Sequence, residues 1–224
     1  YDIWKKKNDV SKWKAKYYKG LGTSTKTEAI EYFSDLKKNT LIYKNTEDTD
    51  DLLNLVFKKG KDIKKKIKFE DQRKDWLATY NKDINLDTEQ TSVPIDDFVH
   101  KELIHFSIAT TIRAIPSVID GLKPSQRKIL YASFKRNLKE EIKVAQFAGY
   151  VSEHTLYHHG EKSLHDTIIN LAQDYIGSNN LNLLYPAGMF GTRLAGGKDA
   201  ASPRYICTRL SKYTRYIFDK KDDN

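Results

Sequence analysis

Cysteine is nearly absent from this sequence. Cys207 is the only one in 224 residues, which excludes an internal disulfide and leaves no cysteine cluster for zinc. No run of apolar residues reaches the length needed to cross a membrane, and the first residues lack a signal-peptide pattern. We therefore expect a reducing intracellular compartment and no membrane partner. The chain opens on Tyr1 rather than on Met, and we expect it to be a piece of a longer protein.

Charge, by contrast, is abundant. Charged residues make up 31% of the chain and the formal net charge is +9, which favours a polyanionic partner. A merely basic, soluble surface is the alternative, and composition alone does not separate the two. The length of 224 residues suffices for one large domain or two small ones with cores of their own.

The first part of the chain combines a basic aromatic tract with a glycine loop. In residues 1–18 tryptophans and tyrosines are interleaved with lysines, which predicts an amphipathic edge strand; a surface for stacking and phosphate contact is the alternative. The loop KGLGTST (19–25) follows. Thr25 and Glu28 have capping-box spacing, which predicts a helix to about Lys38. A glycine loop that leads into a helix suits a phosphate or DNA contact, although the signal is weak by itself.

Residues 40–100 show fewer signs of chemistry. The acidic residues Asp48, Asp50 and Asp51 are expected to flank a turn. Seven lysines in residues 58–68 predict a solvated helical face or loop, with nonspecific DNA contact as the alternative. A helix is predicted over residues 70–81, with Trp76 on its buried side. A polar stretch then ends before Val93, and we place a domain boundary near residue 95.

Beyond that boundary three helices are predicted in succession. One begins at Pro124, with apolar residues recurring every four positions; the others cover residues 143–157 and 162–176, and Gly177 stops the last. Only four residues, HHGE (158–161), join the second helix to the third. Two helices around a short glycine turn, followed by a glycine-rich β segment, predict a winged helix-turn-helix. The third helix would face DNA and residues 177–199 would form the wing.

Four histidines lie close together in this region, at positions 154, 158, 159 and 165. They match no HExxH pattern and no cysteine joins them, so a zinc site is disfavoured. His159 stands at a helix N-terminus, where anions are favoured, and it either donates to a phosphate oxygen or caps its own turn. Residues 191–199 are a near miss for a P-loop, because the lysine is displaced and Asp199 replaces Ser or Thr. We therefore reject nucleotide binding there.

The pair Arg204-Tyr205 is the strongest candidate for chemistry. Glycines at 188, 191, 196 and 197 make the preceding segment permissive, Pro203 stiffens it, and an arginine directly precedes a tyrosine. Such a setting can hold one phenol against one phosphate. Ser202 and Pro203 also have the pattern of a helix cap and first helical residue, which would put Tyr205 in a helix's first turn.

Eight segments of the chain carry a family resemblance. They are YYKGLGTST (17–25), IPSVIDGLKPSQRK (115–128), KVAQ (143–146), YHHGE (157–161), GSNNLNLL (177–184), FGTR (190–193), GGKD (196–199) and SPRYI (202–206). In this order they resemble the central, DNA-cleaving region of the eukaryotic-type (type IIA) DNA topoisomerases II. The resemblance implies an α+β fold, mainly α, with a winged helix-turn-helix. Residues 1–95 would be the C-terminal part of a Toprim region and its linker, and residues 96–224 the winged-helix cleavage domain, ending at the start of the tower.

The resemblance also assigns roles to residues. Tyr205 becomes the nucleophile that attacks a backbone phosphate, leaving a 5′-phosphotyrosyl link and a free 3′-hydroxyl. A phenol with an ordinary pKa of about 10 is a weak nucleophile at neutral pH. Arg204 is therefore expected to assist it and to clamp the phosphate oxygens, and His159 to be a second donor. The basic residues expected to bind DNA are Lys19, Lys123, Arg127, Lys128, Lys143 and Lys198.

The resemblance favours an extended segment at Tyr205, with a helix from about Thr208 that buries Leu210, Tyr213 and Ile217. We prefer this to the helical first turn because a nucleophile must be exposed.

Cofactors and partners are implied in the same way. In the family, Mg²⁺ is held by a Glu and an Asp-x-Asp cluster of the Toprim core; this motif is absent here, so no metal ligand is expected in this chain and the fragment alone should bind DNA without cleaving it. ATP drives duplex passage, and thereby relaxation and decatenation, in the full-length enzyme. The implied partners are double-stranded DNA and a second copy in a homodimer, located in the nucleus, or in the cytoplasm for a viral source. The alternatives are a winged-helix DNA-binding module without chemistry and a structural dimerisation piece.

Overall fold

The computed structural model describes residues 2–14, 16, 18, 21–62, 66–87 and 89–223. Two compact units make up the chain, Tyr1–Phe106 and Ser107–Asn224. Lys19 and Gly20 of the predicted phosphate-contacting loop lie outside the described residues. In the described part, no helix combines the length and the apolar character that crossing a membrane requires.

Short helices and a two-stranded sheet build the first unit. Its elements, up to the helix that crosses the division between the units, are α1 (Asp2–Lys7), α2 (Lys26–Ser34), α3 (Leu36–Asn39), β1 (Ile42–Lys44), α4 (Thr49–Phe57), α5 (Phe69–Ala78), β2 (Ser92–Pro94), α6 (Ile95–Phe98), a π-helical turn (Val99–Leu103) and α7 (Ile104–Ala114). Strands β1 and β2 are parallel, with Tyr43 opposite Val93.

The predicted capping box at the start of α2 is confirmed. The Glu28 main-chain N–H donates to Thr25 Oγ1 at 3.3 Å, and the Thr25 N–H donates to Glu28 Oε2 at 2.6 Å. Lys16 Nζ and the Tyr18 hydroxyl also donate to this carboxylate, at 2.8 Å and 2.5 Å. These contacts, that of Lys16 foremost, lower the pKa of Glu28 to about 2. The residues around the glycine loop are thereby tied to the helix that follows it.

One local prediction for the first unit is wrong and another is incomplete. In the described part of the tract expected to be an edge strand, the chain forms helix α1 and a 3₁₀ turn (Val10–Lys12). The Asp9 carboxylate accepts from the Ser11 N–H at 3.0 Å and caps that turn. The turn expected beside the acidic residues is present, since the Thr49 N–H donates to Thr46 O at 3.1 Å, but helix α4 begins directly after it. Asp50 and Asp51 lie in its first turn, where the helix dipole favours negative charge.

Residues 95–106 pack with the first unit rather than with the second. Their apolar side chains Val99 and Ile104 are buried together with Trp76 of α5. The Trp76 indole N–H also donates to His100 Nδ1 at 3.2 Å, which adds a hydrogen bond between α5 and the π-helical turn. The domain bounds 1–95 and 96–224 remain a prediction. The two compact units divide at a different place, between Phe106 and Ser107.

Three packed helices form the centre of the second unit, as predicted. The elements that follow α7 are α8 (Pro124–Lys135), β3 (Ile142–Lys143), α9 (Val144–Thr155), α10 (Glu161–Ala172), β4 (Leu184–Ala187), β5 (Cys207–Leu210), α11 (Thr214–Ile217) and a 3₁₀ turn (Lys220–Asp222). Ile129, Phe147, Val151, Leu164 and Ile168 are buried between the helices. The mainly helical α+β winged-helix fold is therefore confirmed.

The sheet of the second unit has the antiparallel order β3-β5-β4. Residues 188–206 connect β4 to β5, and we call them the wing loop. The predicted wing, residues 177–199, therefore begins too early and ends before the segment that carries Tyr205. The third helix also ends earlier than predicted, at Ala172.

The helix predicted from about Thr208 is wrong, because Cys207–Leu210 is the central strand β5. Thr208 is fully buried, faces Ile142 and Pro186 on its two sides, and donates its hydroxyl to Tyr185 O at 2.9 Å. This pairing on both sides outweighs the helical spacing of the apolar residues that follow.

Candidate functional site

Tyr205 ends a tight turn formed by residues 202–205, which we call the tyrosine turn. Its main-chain N–H donates to Ser202 O at 2.9 Å. Tyr205 is therefore neither in the first turn of a helix nor in an extended segment, and both expectations are wrong in this respect. The expected exposure is confirmed, since 75% of the residue is accessible.

The first residues of α9 hold the tyrosine turn in place. The Val144 N–H donates to Ile206 O and the Ala145 N–H donates to Pro203 O, both at 3.0 Å. These N–H groups lie at a helix N-terminus, where no partner exists within the helix. Ile206, directly after Tyr205, is buried in the core of the unit. The turn is thus fixed on both sides of a nucleophile candidate that itself remains exposed.

Arg204 lies beside Tyr205 with its guanidinium 5.8 Å from the centroid of the tyrosine ring. That separation is within the range of a cation–π contact. Arg204 is also exposed, so the guanidinium and the phenol are both open to solvent on the same turn. A planar guanidinium next to an exposed phenol is able to bind two oxygens of a phosphate that the phenol approaches.

The tip of the wing loop is a closed, hydrogen-bonded structure. Asp199 accepts from the Thr192 N–H at 2.8 Å and from the Thr192 hydroxyl at 2.7 Å, and these bonds, the hydroxyl's first, lower the pKa of the Asp199 carboxyl. Two cations, Arg193 and Lys198, and the apolar Leu194 are exposed on this tip. A hydrogen-bonded loop tip with exposed cations suits contact with a nucleic-acid backbone.

Two of the other basic residues predicted to bind DNA lie at helix starts. Lys123 precedes α8 and its main-chain N–H donates to Gln126 Oε1 at 2.9 Å, while its side chain is exposed. Lys143 is exposed at the end of β3, opposite Cys207 of β5 and directly before α9. Lys143 is therefore next to the residues that hold the tyrosine turn. Lys19 lies outside the described residues.

Arg127 and Lys128 make contacts within the protein. Arg127 donates from Nε and Nη2 to the two Asp120 oxygens, at 2.6 Å and 2.8 Å, and this bidentate pair lowers the pKa of Asp120. Lys128 Nζ donates to Leu156 O at 3.4 Å. Leu156 has the left-handed backbone conformation that ends α9, so Lys128 contacts the turn of the helix-turn-helix.

His159 lies in that turn, one residue before Gly160, which caps α10. Its ring is exposed and contacts the rings of Tyr157 and His158, at centroid distances of 5.5 Å and 4.5 Å. His159 is thus at the N-terminus of α10, whereas Tyr205 is held at the N-terminus of α9. Both helix starts are favourable places for an anion.

Sequence reasoning missed the groups that fix the site. The N–H groups of Val144 and Ala145 act through the main chain, which leaves no trace in a side-chain pattern. The buried amide of Gln173 contacts the wing loop. The one sign of this role in the sequence is a polar residue directly after the apolar stripe of a helix. Among the described residues, no group of three or more His, Cys, Asp or Glu side chains could hold a metal ion.

Two family models cover almost the whole chain. Residues 1–111 match the model described as the C-terminal associated domain of TOPRIM, and residues 113–224 match that of the DNA gyrase/topoisomerase IV A subunit. The fold and these two models define the class of the type II DNA topoisomerases. The chain belongs to the eukaryotic-type branch of this family, with relatives about 50% identical over its whole length.

Individual relatives agree with this assignment. DNA topoisomerase 2 of Saccharomyces cerevisiae is 52% identical over 225 residues, and DNA topoisomerase 2-alpha of Homo sapiens is 50% identical over 238 residues. Each alignment covers 100% of this chain and 15% of the relative. The crystal structure of the Plasmodium falciparum topoisomerase II DNA-binding, cleavage and re-ligation domain superposes with a TM-score of 0.79 at 47% identity, covering 99% of this chain and 29% of that one. The chain thus spans about one seventh of the length of its curated relatives.

Proposed function

We propose that this chain is the part of a type II DNA topoisomerase that cleaves and reseals one strand of duplex DNA, with Tyr205 as the nucleophile. The observation that carries the proposal is the tyrosine turn. It exposes Tyr205 beside the Arg204 guanidinium while main-chain hydrogen bonds from Val144 and Ala145 fix its backbone. A reactive phenol needs both exposure and a defined position relative to the phosphate.

The proposed step exchanges one phosphate ester for another. The Tyr205 hydroxyl oxygen attacks the phosphorus, a bond from that oxygen to phosphorus forms, and the bond from phosphorus to the 3′ oxygen breaks. The phenolic proton is lost and the departing 3′ oxygen gains one, so the products are a 5′-phosphotyrosyl link and a 3′-hydroxyl. Arg204 stabilises the charge that develops on the non-bridging oxygens. Resealing is the reverse step and needs no external energy source.

DNA binding by this chain would rest on backbone contacts. Lys143 lies next to the tyrosine turn, and Arg193 and Lys198 are exposed on the tip of the wing loop. Lys123 adds a charge at the start of α8, and His159 a further donor at the start of α10. Arg127 and Lys128 of α8 would contribute through the loops that they contact, at Asp120 and Leu156, as much as through direct contact with DNA, because each already donates to a protein oxygen.

The described residues do not fit a resident Mg²⁺ ion, because they contain no suitable group of ligands. We propose that the Mg²⁺ used for cleavage is held by residues outside this chain, and that the chain alone binds DNA without cleaving it. ATP-driven duplex passage, a homodimeric assembly, double-stranded DNA as partner and a nuclear location are likewise proposed for the whole protein. Membership of the eukaryotic-type family supports them.

Covalent trapping in the intact parent protein tests the proposal. End-labelled linear duplex DNA and Mg²⁺ are incubated with wild-type protein, Tyr205→Phe and the control Tyr216→Phe, and the reactions are quenched with denaturant. Tyr216 is a tyrosine of the same unit that is at least as exposed as Tyr205, 89% against 75%, so its replacement is a matched control. We expect protein on 5′ ends for wild type and control, and none for Tyr205→Phe.

An adduct that persists in Tyr205→Phe would exclude Tyr205 as the attachment site. DNA binding without any adduct in the wild-type parent would instead favour a winged-helix DNA-binding module without chemistry.

A further inference from the structure

Gln173 is a buried polar residue that the proposed cleavage step does not use. It directly follows α10 and is only 6% exposed. Its side-chain nitrogen donates to Phe190 O at 2.9 Å and to Gly197 O at 3.2 Å. A side-chain amide nitrogen carries two hydrogens, so both of its donors are used on the wing loop.

The two acceptors lie on opposite arms of the wing loop. Phe190 belongs to the arm that leaves β4, and Gly197 to the arm that returns toward Tyr205. The Gly197 N–H donates to Thr192 O at 2.9 Å, and the Ala201 N–H donates to Met189 O at 2.9 Å. Two hydrogen bonds thus join the arms to each other, and the second of them lies directly before the tyrosine turn. The Gln173 amide connects this closed loop to the end of α10.

The contact is tightly packed. A Cβ atom built on Gly197 would clash with Gln173 Nε2 and would lie 2.7 Å from the Tyr175 hydroxyl oxygen. Phe190 is buried in the same region. A buried amide of this kind is unfavourable unless its hydrogens are bonded, so the position of the loop and the conformation of Gln173 depend on each other.

We propose that Gln173 is a positioning residue for strand cleavage, because its two amide hydrogens hold both arms of the wing loop. The loop then presents Arg193 and Lys198 to the DNA backbone and leads the chain into the tyrosine turn in one conformation. The inference rests on the proposed role of Tyr205. Gln173 acts through the loop and does not touch the reacting phosphate. A misplacement of about 1 Å at the reacting atoms is enough to cost about a hundredfold in rate.

Two substitutions in the parent protein test this role. Gln173→Glu keeps the shape of the side chain but has no amide hydrogen, and Gln173→Met has similar length with neither donor nor charge. The control Ser133→Ala removes another buried hydrogen bond of the same unit, from Ser133 Oγ to Ile129 O at 2.8 Å, within α8. For each protein we would measure the rate of adduct formation at saturating DNA, and, without DNA, the rate of trypsin cleavage after Arg193 and Lys198.

We expect both Gln173 variants to form the adduct about tenfold to a hundredfold more slowly at saturating DNA. They should also be cut faster by trypsin at the two wing-loop sites, whereas Ser133→Ala should match wild type in both rates. Because DNA is saturating, a slower rate reports positioning rather than affinity. Trypsin cleavage reports the order of the loop whether or not the protein is active.

An adduct rate within twofold of wild type in either folded Gln173 variant would overturn the inference, even with faster trypsin cleavage. If Gln173→Glu fails to fold, the uncharged Gln173→Met decides. Failure of the proposed function gives a different pattern, because either Tyr205→Phe would retain the adduct or the wild-type parent would form none. Loss of the adduct in Tyr205→Phe together with wild-type rates in the Gln173 variants would reject the role of Gln173 alone.

Discussion

At the scale of single residues, Arg204 lies beside the proposed nucleophile: its guanidinium is 5.8 Å from the ring centroid of Tyr205. Replacing Arg204 by alanine removes the planar group that can bind two oxygens of one phosphate. We expect adduct formation in the parent protein to slow about 100-fold to 1000-fold at saturating DNA. Arg204→Lys keeps the charge without the paired donors and should recover only part of the rate. Rapid-quench measurement of the labelled adduct checks both.

Lys212 provides the matched control for this prediction. It is an exposed cation in the same unit, beyond the end of β5. Lys212→Ala therefore removes one unit of positive charge without changing the tyrosine turn. A comparable loss of rate in Lys212→Ala would mean that net charge, and not the position of the Arg204 guanidinium, governs the step.

The pair of Asp120 and Arg127 predicts a pH dependence. The Arg127 guanidinium holds the pKa of Asp120 below its ordinary value. The pair therefore stabilises the loop before α8 above the ordinary aspartate pKa of about 4, and this contribution is lost as the pH falls through the lower folded value. Because both side chains are partly exposed, the contribution is about 1 kcal/mol or less.

Native-state hydrogen exchange at the start of α8, in wild type and in Asp120→Asn, measures this contribution. The difference in protection should be largest near neutral pH and should shrink as the pH falls toward the folded pKa of Asp120. Equal protection of the two proteins at pH 7 would show that the ion pair does not stabilise the loop, and would leave Arg127 available for DNA.

At the scale of the element, the wing loop depends on two adjacent glycines in different ways. Both have positive φ angles, 58° at Gly196 and 77° at Gly197. A Cβ on Gly196 meets nothing within 4 Å, whereas a Cβ on Gly197 meets Gln173 and Tyr175. Gly196→Ala should therefore cost only backbone strain, about 1 kcal/mol. Gly197→Ala should also displace the loop from Gln173.

We expect Gly197→Ala to lower the rate of adduct formation and to expose the wing loop to trypsin, while Gly196→Ala stays close to wild type in both measurements. The two variants carry the same added methyl group at neighbouring positions of the same backbone conformation. Equal behaviour of the two would show that backbone strain alone determines the result, and that the packing of Gly197 against Gln173 has no role.

Elements with strong periodicity could be predicted from the sequence. Apolar residues repeat at helical spacing in α8, α9 and α10, and the burial of Phe147, Leu164 and Ile168 follows that pattern. The capping box of Thr25 and Glu28 was predictable for a similar reason, because both partners lie within four residues. Strand β5 was not predictable in this way. Its four residues are too few for a clear alternation, and its pairing with β3 and β4 brings together residues far apart in sequence.

The side chains of the candidate site could be predicted from the sequence, but the contacts that hold them in place could not. Arg204, Tyr205 and the basic residues could be named because their chemistry is visible in the residue types and in the family motifs. The tyrosine turn depends on main-chain donors of Val144 and Ala145, and the wing loop depends on Gln173. These contacts form only after α9, α10 and strands β4 and β5 pack together, so no local pattern in the sequence encodes them.

At the scale of the whole molecule, the formal net charge of +9 and the exposed cations suggest that DNA is bound through its backbone. The affinity of the parent protein should then fall steeply with salt and depend little on base sequence. Removing one phosphate contact, as in Lys143→Ala, should weaken binding to every duplex alike and reduce the slope of log affinity against log salt by about 1.

Lys139→Ala is the control for that slope, because Lys139 is an exposed cation of the same unit in the connection after α8. The residue before it, Leu138, accepts from the Leu210 N–H, at the end of β5 opposite to the tyrosine turn. The affinity of each protein for two duplexes of unrelated sequence is measured from low to physiological salt. This separates recognition of the DNA backbone from recognition of the bases. A slope that falls only in Lys143→Ala places a phosphate beside the start of α9, where a bound backbone would also reach Tyr205. A strong preference for one duplex that survives high salt would contradict backbone recognition, because contacts to base edges depend far less on salt than contacts to phosphates do.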